Sequence, residues 1–477
     1  MLVGGGTGGL VAAMIAAAVG AKTALIERER TGGDCLWTGC VPSKSLLATA
    51  DLAHRIRHAN TVGLAPTEPD IDFARVMAHV RGVREQIAPE DSPERLRAAG
   101  VEVIEESATF LAPGRIGAGE RELSFRRAII ATGARPTMPP VTALEQANPL
   151  TNETLWDLDR LPRRLVVLGG GPIGCELGQA FARLGSQVTI VELAPRLLLK
   201  EEPNASELVA DHLRDDGVTL LLAARASAVQ QPDGRGGGEL LCQHDGTTTL
   251  VPFDRILVAA GRAPETDGLG LDRVEVQTGP AGSVVVDKTL QTTARGIYAV
   301  GDVTGALPFT HVAAYHARIA AVNALFPTRR KVNYDAIPWV TFTDPEVGRV
   351  GLTEQAARER WADRTKVTSF DYAGLDRAIT AGQPYGFAKL IGDPKGQLVG
   401  ATVAAPAGGE TIAELAASVS RGDPIDRVSQ TVHAYPTFSE GPARAADDYL
   451  RTRLGTTRMQ AITRAALAAS RALDRFR

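Results

Sequence analysis

A chain of 477 residues, 44% of them apolar, is long enough for roughly three domains of about 150 residues each. The net charge of −3 gives no overall attraction to nucleic acid or acidic lipid, and no apolar run reaches the roughly 18 residues that a membrane span needs. Four cysteines are too few for a secreted disulfide scaffold. We therefore expect a reducing, cytoplasmic location, in which a close cysteine pair is a candidate for catalysis or metal binding.

The chain begins with a predicted strand, a glycine-rich turn, an alanine-rich helix and a second strand. Gly4, Gly6 and Gly9 have the spacing G-x-G-x-x-G, and the second strand, "KTALIE", ends at Glu27. Such glycines let backbone N–H groups approach a pyrophosphate at a helix N-terminus, and the acid accepts ribose hydroxyls. The pattern predicts a dinucleotide site. Because only residues 1–3 precede the first glycine, either the first strand is unusually short or the true start lies upstream.

The next feature is the segment "GGDCLWTGCVPSK", which contains Cys35 and Cys40. A structural zinc site needs four ligands, and the other two thiols, Cys175 and Cys242, are isolated in the sequence, with no histidine within ten residues of the pair. Two unreactive buried cysteines are a second alternative. A redox-active pair is favoured over both.

The spacing of this pair predicts an irregular backbone. Five residues of regular helix rise about 7.5 Å, whereas a disulfide needs Cα atoms about 4.4–6.8 Å apart. Gly39 supplies the backbone freedom for a distorted turn, and a helix is predicted to follow it. A thiol near the start of that helix would ionise more readily than usual.

The glycine pattern recurs at Gly169, Gly171 and Gly174, again between a strand and a helix, and the following strand ends at Glu192. Two dinucleotide sites beside a cysteine pair suggest a flavin and a nicotinamide that deliver two electrons to a disulfide. The Glu192 carboxylate should repel the 2′-phosphate of NADPH, so NADH is expected. Arg196 keeps NADPH possible, since an arginine there either accepts the phosphate or points to solvent.

The remaining sequence predicts a different kind of domain and a basic tail. From about Pro338, strands such as "GFAKLIGD" alternate with helices, which indicates an α+β domain, and residues 230–239 read as an exposed hairpin or loop. From residue 454 onward the pattern predicts a basic amphipathic helix, expected to pack on its own dimer rather than on a membrane. Its apolar stripe consists of Met459, Ile462, Ala466, Ala469, Leu473 and Phe476.

These motifs together resemble the pyridine nucleotide–disulfide oxidoreductases of the glutathione reductase, dihydrolipoamide dehydrogenase and mercuric reductase group. The segment "IIATGARP", with Thr132 and Gly133, resembles the family's connecting segment between the FAD and NAD(P) domains. The segment "IYAVGDVTG" resembles the one that places Asp302 on the flavin side chain. The resemblance implies an α/β fold with two Rossmann-like domains, for FAD and NAD(P), and a C-terminal α+β dimerisation domain. It also implies a homodimer whose active sites are shared between subunits.

The resemblance also predicts where the domains divide. The predicted segments are the first part of the FAD domain (1–145), the NAD(P) domain (146–270), the second part of the FAD domain (271–335), the interface domain (336–453) and the C-terminal helix (454–477).

By the same resemblance, Cys40 is the thiol that contacts the flavin and Cys35 the thiol that exchanges with substrate. Lys44 would lie near flavin N5, paired with Glu176. Such a pair would hold the lysine charged and stabilise the reduced, anionic flavin. The alternative for Lys44 is an ordinary surface lysine.

The C-terminal segment "HAYPTFSEG" departs from the family's disulfide reductases, which have H-x-H-P-T followed by a glutamate. His433 and Glu440 match, but Tyr435 replaces the acid/base histidine. The ordinary pKa values of the two side chains differ by about 3.5 units, or roughly 5 kcal/mol in proton affinity, so disulfide reduction should be slow. Mercuric reductase resembles this chain in having a tyrosine there, although its C-terminal cysteine pair and N-terminal metal-binding module are not found. The alternative for Tyr435 is a packing aromatic.

We therefore expect an oxidoreductase that passes hydride from the nicotinamide through the flavin to a Cys35–Cys40 disulfide, and then to a small disulfide or a thiol-bound metal ion. Three alternatives stay open. They are direct reduction of a quinone by the flavin, a dihydrolipoamide dehydrogenase subunit of a multienzyme complex, and a non-catalytic redox sensor.

Overall fold

A computed structural model describes residues 1–244, 246–455 and 457–473. The chain divides into two compact units. The first comprises residues 1–197 and 213–332, and the second comprises residues 198–212 and the chain from residue 333 onward. Among the described residues, none of the helices combines the length and the apolar character that crossing a bilayer requires.

The strands of the structure, in chain order, are β1 Leu2–Val3, β2 Thr23–Ile26, β3 Val101–Ile104, β4 Ala108–Ala112, β5 Arg115–Ala118, β6 Arg121–Ser124, β7 Ala128–Ile130, β8 Ala134–Pro136, β9 Arg164–Leu168, β10 Gln187–Val191, β11 Thr219–Leu221, β12 Arg225–Gln230, β13 Gly238–His244, β14 Thr247–Phe253, β15 Arg255–Val258, β16 Arg262–Pro264, β17 Ile297–Ala299, β18 Pro338–Thr341, β19 Glu346–Gly351, β20 Lys366–Asp371, β21 Phe387–Gly392 and β22 Leu398–Ala405.

The helices, in chain order, are α1 Thr7–Ala18, α2 Gly33–Trp37, α3 Cys40–Arg57, α4 Phe73–Ile87, α5 Pro93–Ala98, α6 Pro172–Arg183, α7 Pro203–Asp215, α8 Thr310–Leu325, α9 Glu354–Trp361, α10 Asp376–Thr380, α11 Gly408–Arg421, α12 Ile425–Gln430, α13 Glu440–Leu454 and α14 Thr457–Leu473.

Strand β1 occupies the centre of a five-stranded sheet ordered β17-β7-β1-β2-β3. Leu2 pairs in parallel register with Leu25 on one side and Ile129 on the other, and all three side chains are buried. Parallel strands covered on both faces are nearly continuous apolar runs, which agrees with the burial of these three side chains. The glycine turn after β1 leads directly into α1.

The second glycine turn occupies the same place in a second parallel sheet, ordered β11-β10-β9-β15. It lies between β9 and α6, and β10 pairs with β9 residue by residue over its whole length. Strands β12, β13 and β14 form an antiparallel sheet, and residues 231–237 connect β12 to β13. The predicted hairpin near residues 230–239 is therefore confirmed. The two parallel sheets with their helices confirm the predicted α/β fold with two Rossmann-like units.

The second unit is built on the antiparallel sheet β18-β19-β22-β21-β20, whose buried side chains pack against α11, α12 and α13. This is the predicted α+β domain. The sequence did not indicate that residues 198–212 would belong to it. Within this unit Lys389 Nζ lies 2.9 Å from Glu202 Oε2, and Trp339 Nε1 donates to Glu201 Oε1 at 2.7 Å. The other predicted domain boundaries stay predictions.

The C-terminal segment is helical over α14, and its described side chains are mostly exposed, Ile462 and Leu467 being 52% exposed. Of the predicted apolar stripe, Phe476 lies outside the described residues, and the side chain of Leu473 is not among those described. Packing of this helix on a partner subunit stays a prediction.

Candidate active site

The cysteine pair lies at a break between two helices. Cys35 is in α2, and Cys40 is the first residue of α3. Gly39 separates them with φ −121° and ψ −111°, and a Cβ on this residue would lie only 2.8 Å from the carbonyl oxygen of Asp34. The chain therefore has the distorted turn that a bridge between these cysteines requires. Both thiols are free in this structure.

The two thiols have opposite acidities. The pKa of Cys40 is lowered to about 6, first by a hydrogen bond from the Cys35 thiol and then by Thr310 and the charge of Lys44, which together outweigh burial. The Cys40 Sγ atom lies 3.4 Å from Oγ1 of Thr310, the first residue of α8. The pKa of Cys35 is raised, because its proton is held by Cys40 and because it is partly buried. At neutral pH the pair is a Cys40 thiolate beside a Cys35 thiol.

Lys44 is one turn along α3 from Cys40, and its Nζ donates to Glu176 Oε2 at 2.7 Å. The Glu176 side chain is 7% exposed and that of Lys44 is 35% exposed. The predicted ion pair is therefore formed, and Lys44 is not an ordinary surface lysine. Four of the predicted residues thus come together in the first unit.

A second polar cluster joins the same two helices farther from the thiols, and the sequence gave no sign of it. The buried carboxylate of Asp216 lies 3.0 Å from His54 Nδ1 of α3 and accepts hydrogen bonds of 2.8 Å from Gln179 and Arg183 of α6. Burial alone would raise the pKa of Asp216, but these partners hold it below its usual value. The face of α3 that carries Lys44 is therefore held on α6 at two places.

The first glycine motif shows why each glycine is required. Gly4 has φ +103°, and a Cβ on it would lie 2.4 Å from Ala131 O. A Cβ on Gly9 would lie 1.9 Å from Gly4 O, whereas a Cβ on Gly6 would meet only Gly33 Cα at 3.7 Å. The two outer glycines therefore serve packing, and the middle one leaves space in front of the helix.

The acid after this motif is held by the turn itself. Glu27 Oε2 accepts the N–H of Gly5 at 2.5 Å, and Oε1 accepts that of Glu29 at 2.8 Å. A cavity of about 430 Å³ opens beside Glu27 and is also lined by Arg30 and Trp37. The guanidinium carbon of Arg30 lies 4.2 Å from the centre of the Trp37 ring.

The other residues predicted on this side fall in the same unit. Thr132 donates its hydroxyl to Glu265 O at 2.6 Å, and Gly133 follows with φ +75°. Asp302 is half-buried in a short 3₁₀ turn, and burial raises the pKa of its carboxyl group. The nearby Arg262 partly offsets that rise.

The second glycine motif repeats the first almost atom for atom. Gly169 has φ +111°, a Cβ on Gly174 would lie 1.9 Å from Gly169 O, and a Cβ on Gly171 would meet nothing within 4 Å. Glu192 Oε2 accepts the N–H of Gly170 at 2.5 Å, and its Oε1 accepts that of Ala194 at 2.7 Å. Both acids thus end their strands in one geometry, with a carboxylate beside the glycine turn.

The C-terminal candidates lie in the second unit. The Tyr435 hydroxyl donates to Asp376 Oδ2 at 2.7 Å, and Tyr435 is 67% exposed. The family resemblance suggested Glu440 as the partner of residue 435. Here Glu440 Oε2 instead accepts the N–H of Thr437 at 3.1 Å. His433 Nε2 lies 2.8 Å from Glu414 Oε2. Sequence reasoning missed Asp376, and the participation of Tyr435 and Glu440 in the site of the thiols stays a prediction.

Comparison with family models gives matches along most of the chain. Residues 1–317 match the pyridine nucleotide-disulphide oxidoreductase model, and residues 337–446 match the dimerisation domain of the same family. The chain belongs to this family. It is a flavoprotein disulfide oxidoreductase that uses FAD and NAD(P)H, as the members of this family do.

Individual members of the family are similar over nearly their whole length. The mercuric reductase of Streptomyces lividans is 36% identical over 94% of this chain and 95% of its own. Dihydrolipoyl dehydrogenase 2 of Haloarcula marismortui is 33% identical, with the same coverage. The solved Cu(II) complex of RclA, an HOCl-induced flavoprotein disulfide reductase from Escherichia coli, superimposes with a TM-score of 0.81 at 28% identity, over 93% of this chain and 98% of that one.

The residues of this flavoprotein fit its two cofactors. Helices α1 and α6 both begin after a glycine that offers no side-chain cap, so the N–H groups of their first turns are available to a pyrophosphate. The space in front of Gly6 and Gly171 is the space that a side chain would fill. In this structure Gly4, Gly6, Gly9 and Glu27 would hold FAD, and the matching residues of the second motif would hold NAD(P)H.

Proposed function

We propose that this protein transfers two electrons from NADH to a Cys35–Cys40 disulfide, and from the resulting dithiol to a thiophilic metal ion or a small disulfide, with the metal ion favoured. The observation that carries the proposal is the placement of Cys40 beside Cys35, 3.4 Å from Thr310 Oγ1 and near the charge of Lys44, which lowers the pKa of Cys40 to about 6. Bound FAD would supply the chemistry that converts hydride from the nicotinamide into an electron pair for the disulfide.

The chain's own residues would then handle protons and thiols. Reduction of the disulfide takes two electrons and one proton and leaves Cys35 as a thiol and Cys40 as a thiolate stabilised by Lys44. Lys44 is itself held in place by Glu176. Cys35 is the thiol proposed to exchange with an acceptor, because Cys40 is the sulfur whose charge Lys44 stabilises.

The C-terminal segment supports a metal ion as the acceptor. Exchange with a disulfide releases a thiolate that must be protonated, and Tyr435 is a poor acid at neutral pH. A divalent metal ion takes up the two electrons without a proton, and the reaction releases the one proton of the Cys35 thiol. The names of the relatives fit both acceptor classes, since they include a mercuric reductase and a Cu(II) complex as well as a dihydrolipoyl dehydrogenase and a disulfide reductase.

The assembly and the donor are part of the same proposal. A homodimer would bring Tyr435 and Glu440 of each subunit to the thiols of its partner, and a redox-active pair in a chain of four cysteines suits the reducing cytoplasm. The domains would divide as the sequence predicts, apart from residues 198–212.

NADH is the proposed donor because Glu192 places a carboxylate beside the second glycine turn. Its test is the ratio of kcat/KM for NADH to that for NADPH, which Glu192→Ala should reduce about tenfold.

The acceptor is tested with the FAD-loaded protein and four candidates: mercuric ion, oxidised lipoamide, glutathione disulfide and a quinone. We expect NADH to generate the long-wavelength absorbance of a thiolate beside oxidised flavin, and mercuric ion to be reduced fastest. Mercuric turnover should disappear in Cys35→Ser. The proposal is wrong if quinone is reduced fastest and Cys35→Ser leaves that rate unchanged, because the electrons would then bypass the thiols.

A further inference from the structure

The hydroxyl proton of Tyr435 is already engaged. It is donated to Asp376 Oδ2 over 2.7 Å, and Asp376 is the first residue of α10. Both side chains are exposed, so the phenol oxygen turns its lone pairs, not its proton, toward an incoming molecule. A phenol in this state accepts hydrogen bonds and attracts cations, but it donates to a thiolate only after its bond to Asp376 is broken.

The charges around Tyr435 also favour a hydroxyl that keeps its proton and donates it to Asp376. The hydrogen bond to Asp376 and then its negative charge raise the pKa of Tyr435, and Glu440 adds to the rise, while Arg444 opposes it. Arg444 lies 3.7 Å from Glu440. His433, the nearest histidine along the chain, lies beside Glu414. The charged groups that act on Tyr435 are thus two carboxylates and one guanidinium.

We propose that Asp376 is a specificity-determining residue, which holds the Tyr435 proton and so directs the enzyme toward a cationic acceptor and away from disulfides. The inference rests on the function proposed above and adds the residue that selects the acceptor class. Asp376 is a positioning residue, because it acts through the Tyr435 hydroxyl.

The chemistry of the two acceptors explains the selection. When the Cys35 sulfur attacks a disulfide, the Cys35 thiol first loses its proton to a base or to solvent. A mixed disulfide then forms, and the thiolate that leaves needs a proton. The proton of Tyr435 is shared with a carboxylate, so this step lacks a ready donor. When a divalent cation is the acceptor, the thiol–thiolate pair is oxidised to the disulfide, the cation gains two electrons and one proton leaves, that of Cys35. The phenol oxygen and the Asp376 carboxylate both attract the cation before that step.

The test compares two substitutions of Asp376 in the FAD-loaded enzyme. Asp376→Ala frees the hydroxyl and removes the charge, so kcat/KM for glutathione disulfide should rise and that for mercuric ion should fall, changing their ratio at least about tenfold. Asp376→Asn removes the charge but keeps an oxygen that accepts the proton. It should lower mercuric turnover without the gain in disulfide turnover. Asp363→Ala, which removes an exposed carboxylate from another turn of the same unit, should leave the ratio unchanged.

A second readout does not depend on turnover. The phenolate absorbance that disappears with Tyr435→Phe should titrate at lower pH in Asp376→Ala than in the parent protein, because Asp376 raises the pKa of Tyr435. An unchanged acceptor ratio in Asp376→Ala would overturn the inference, as would an equal gain in disulfide turnover in Asp376→Asn. If one of these two contrary results is found and Cys35→Ser still abolishes mercuric turnover, only the inference about Asp376 is wrong. If Cys35→Ser keeps that turnover, the proposed function itself is wrong.

Discussion

The thiol site and the Tyr435 segment are built in different ways. Around Cys40, a helix start, a hydrogen-bonding threonine and a lysine held by a buried glutamate fix one thiolate in place. Around Tyr435, one hydrogen bond between exposed side chains sets the chemistry. The first arrangement resists change, because moving one member disturbs packed helices. The second can change by single substitutions at little cost to folding, which suits a family whose members differ in acceptor.

The largest expected effect belongs to the thiol site and comes from removing Cys35, the thiol proposed to exchange with the acceptor. Cys35→Ser should lower turnover with mercuric ion by roughly 1,000-fold, because the sulfur that meets the acceptor is gone. Steady-state NADH oxidation with mercuric ion measures the loss. Cys242→Ala removes an isolated buried thiol and should keep nearly full turnover. Equal losses in the two variants would mean that the effect is structural.

The next effect concerns the Tyr435 segment alone. Tyr435→His should raise kcat for glutathione disulfide by roughly 50-fold, because an imidazole near its ordinary pKa can protonate the leaving thiolate. Stopped-flow reoxidation of the reduced enzyme measures that step directly. Tyr435→Phe removes the hydroxyl without adding an acid and should give no such gain. A failure of the histidine variant to exceed the phenylalanine variant would contradict our account of this substitution.

A smaller effect tests the different roles of two glycines in the second glycine motif, which, unlike the Tyr435 segment, is fixed by packing. Gly171→Ala places a Cβ in open space at the start of α6, so it should raise KM for NADH about tenfold and leave the Tm unchanged. Gly174→Ala places a Cβ 1.9 Å from Gly169 O and should lower the Tm by several degrees. Thermal unfolding and NADH titration of both variants measure the contrast. A lower Tm in Gly171→Ala than in Gly174→Ala would reverse the assigned roles.

The sequence predicted the parts of the fold that repeat a local pattern. Both glycine turns, their strands and acids, and the irregular turn at Gly39 depend on residues close together in the chain. Thr310 and Asp376 were missed, because they lie 270 and 59 residues from the side chains that they contact. No periodicity or spacing encodes such pairs, which form only when separate elements pack. Lys44 and Glu176 were paired in advance only because they match family motifs.

The same limit explains why the sequence did not group residues 198–212 with the second unit. Their sequence continues the helical pattern of the nucleotide domain, and nothing local marks Glu201 and Glu202 as partners of distant side chains. Trp339 and Lys389 become visible as those partners only in the folded second unit. Charged residues at the start of a helix usually indicate a solvated end, and here tertiary packing overrides that expectation.

The smallest expected effect is a shift in the pKa of Cys40 when a neighbouring charge is removed. The charge of Lys44 lowers the pKa of Cys40, and that of Glu176 raises it. Lys44→Gln should therefore raise the Cys40 pKa above about 6 by roughly half a unit, and Glu176→Gln should lower it by a similar amount. Thiolate absorbance of the reduced protein against pH measures both shifts.

The signs of these shifts make the two amide variants controls for each other. Near pH 6 the thiolate fraction should fall in Lys44→Gln and rise in Glu176→Gln, so a general loosening of α3 against α6 cannot imitate the result. A structural disturbance would instead move both variants toward the ordinary, higher thiol pKa. If both pKa values rose, the pair would act by holding the helices together, and Thr310 and Cys35 would be left as the groups that stabilise the thiolate.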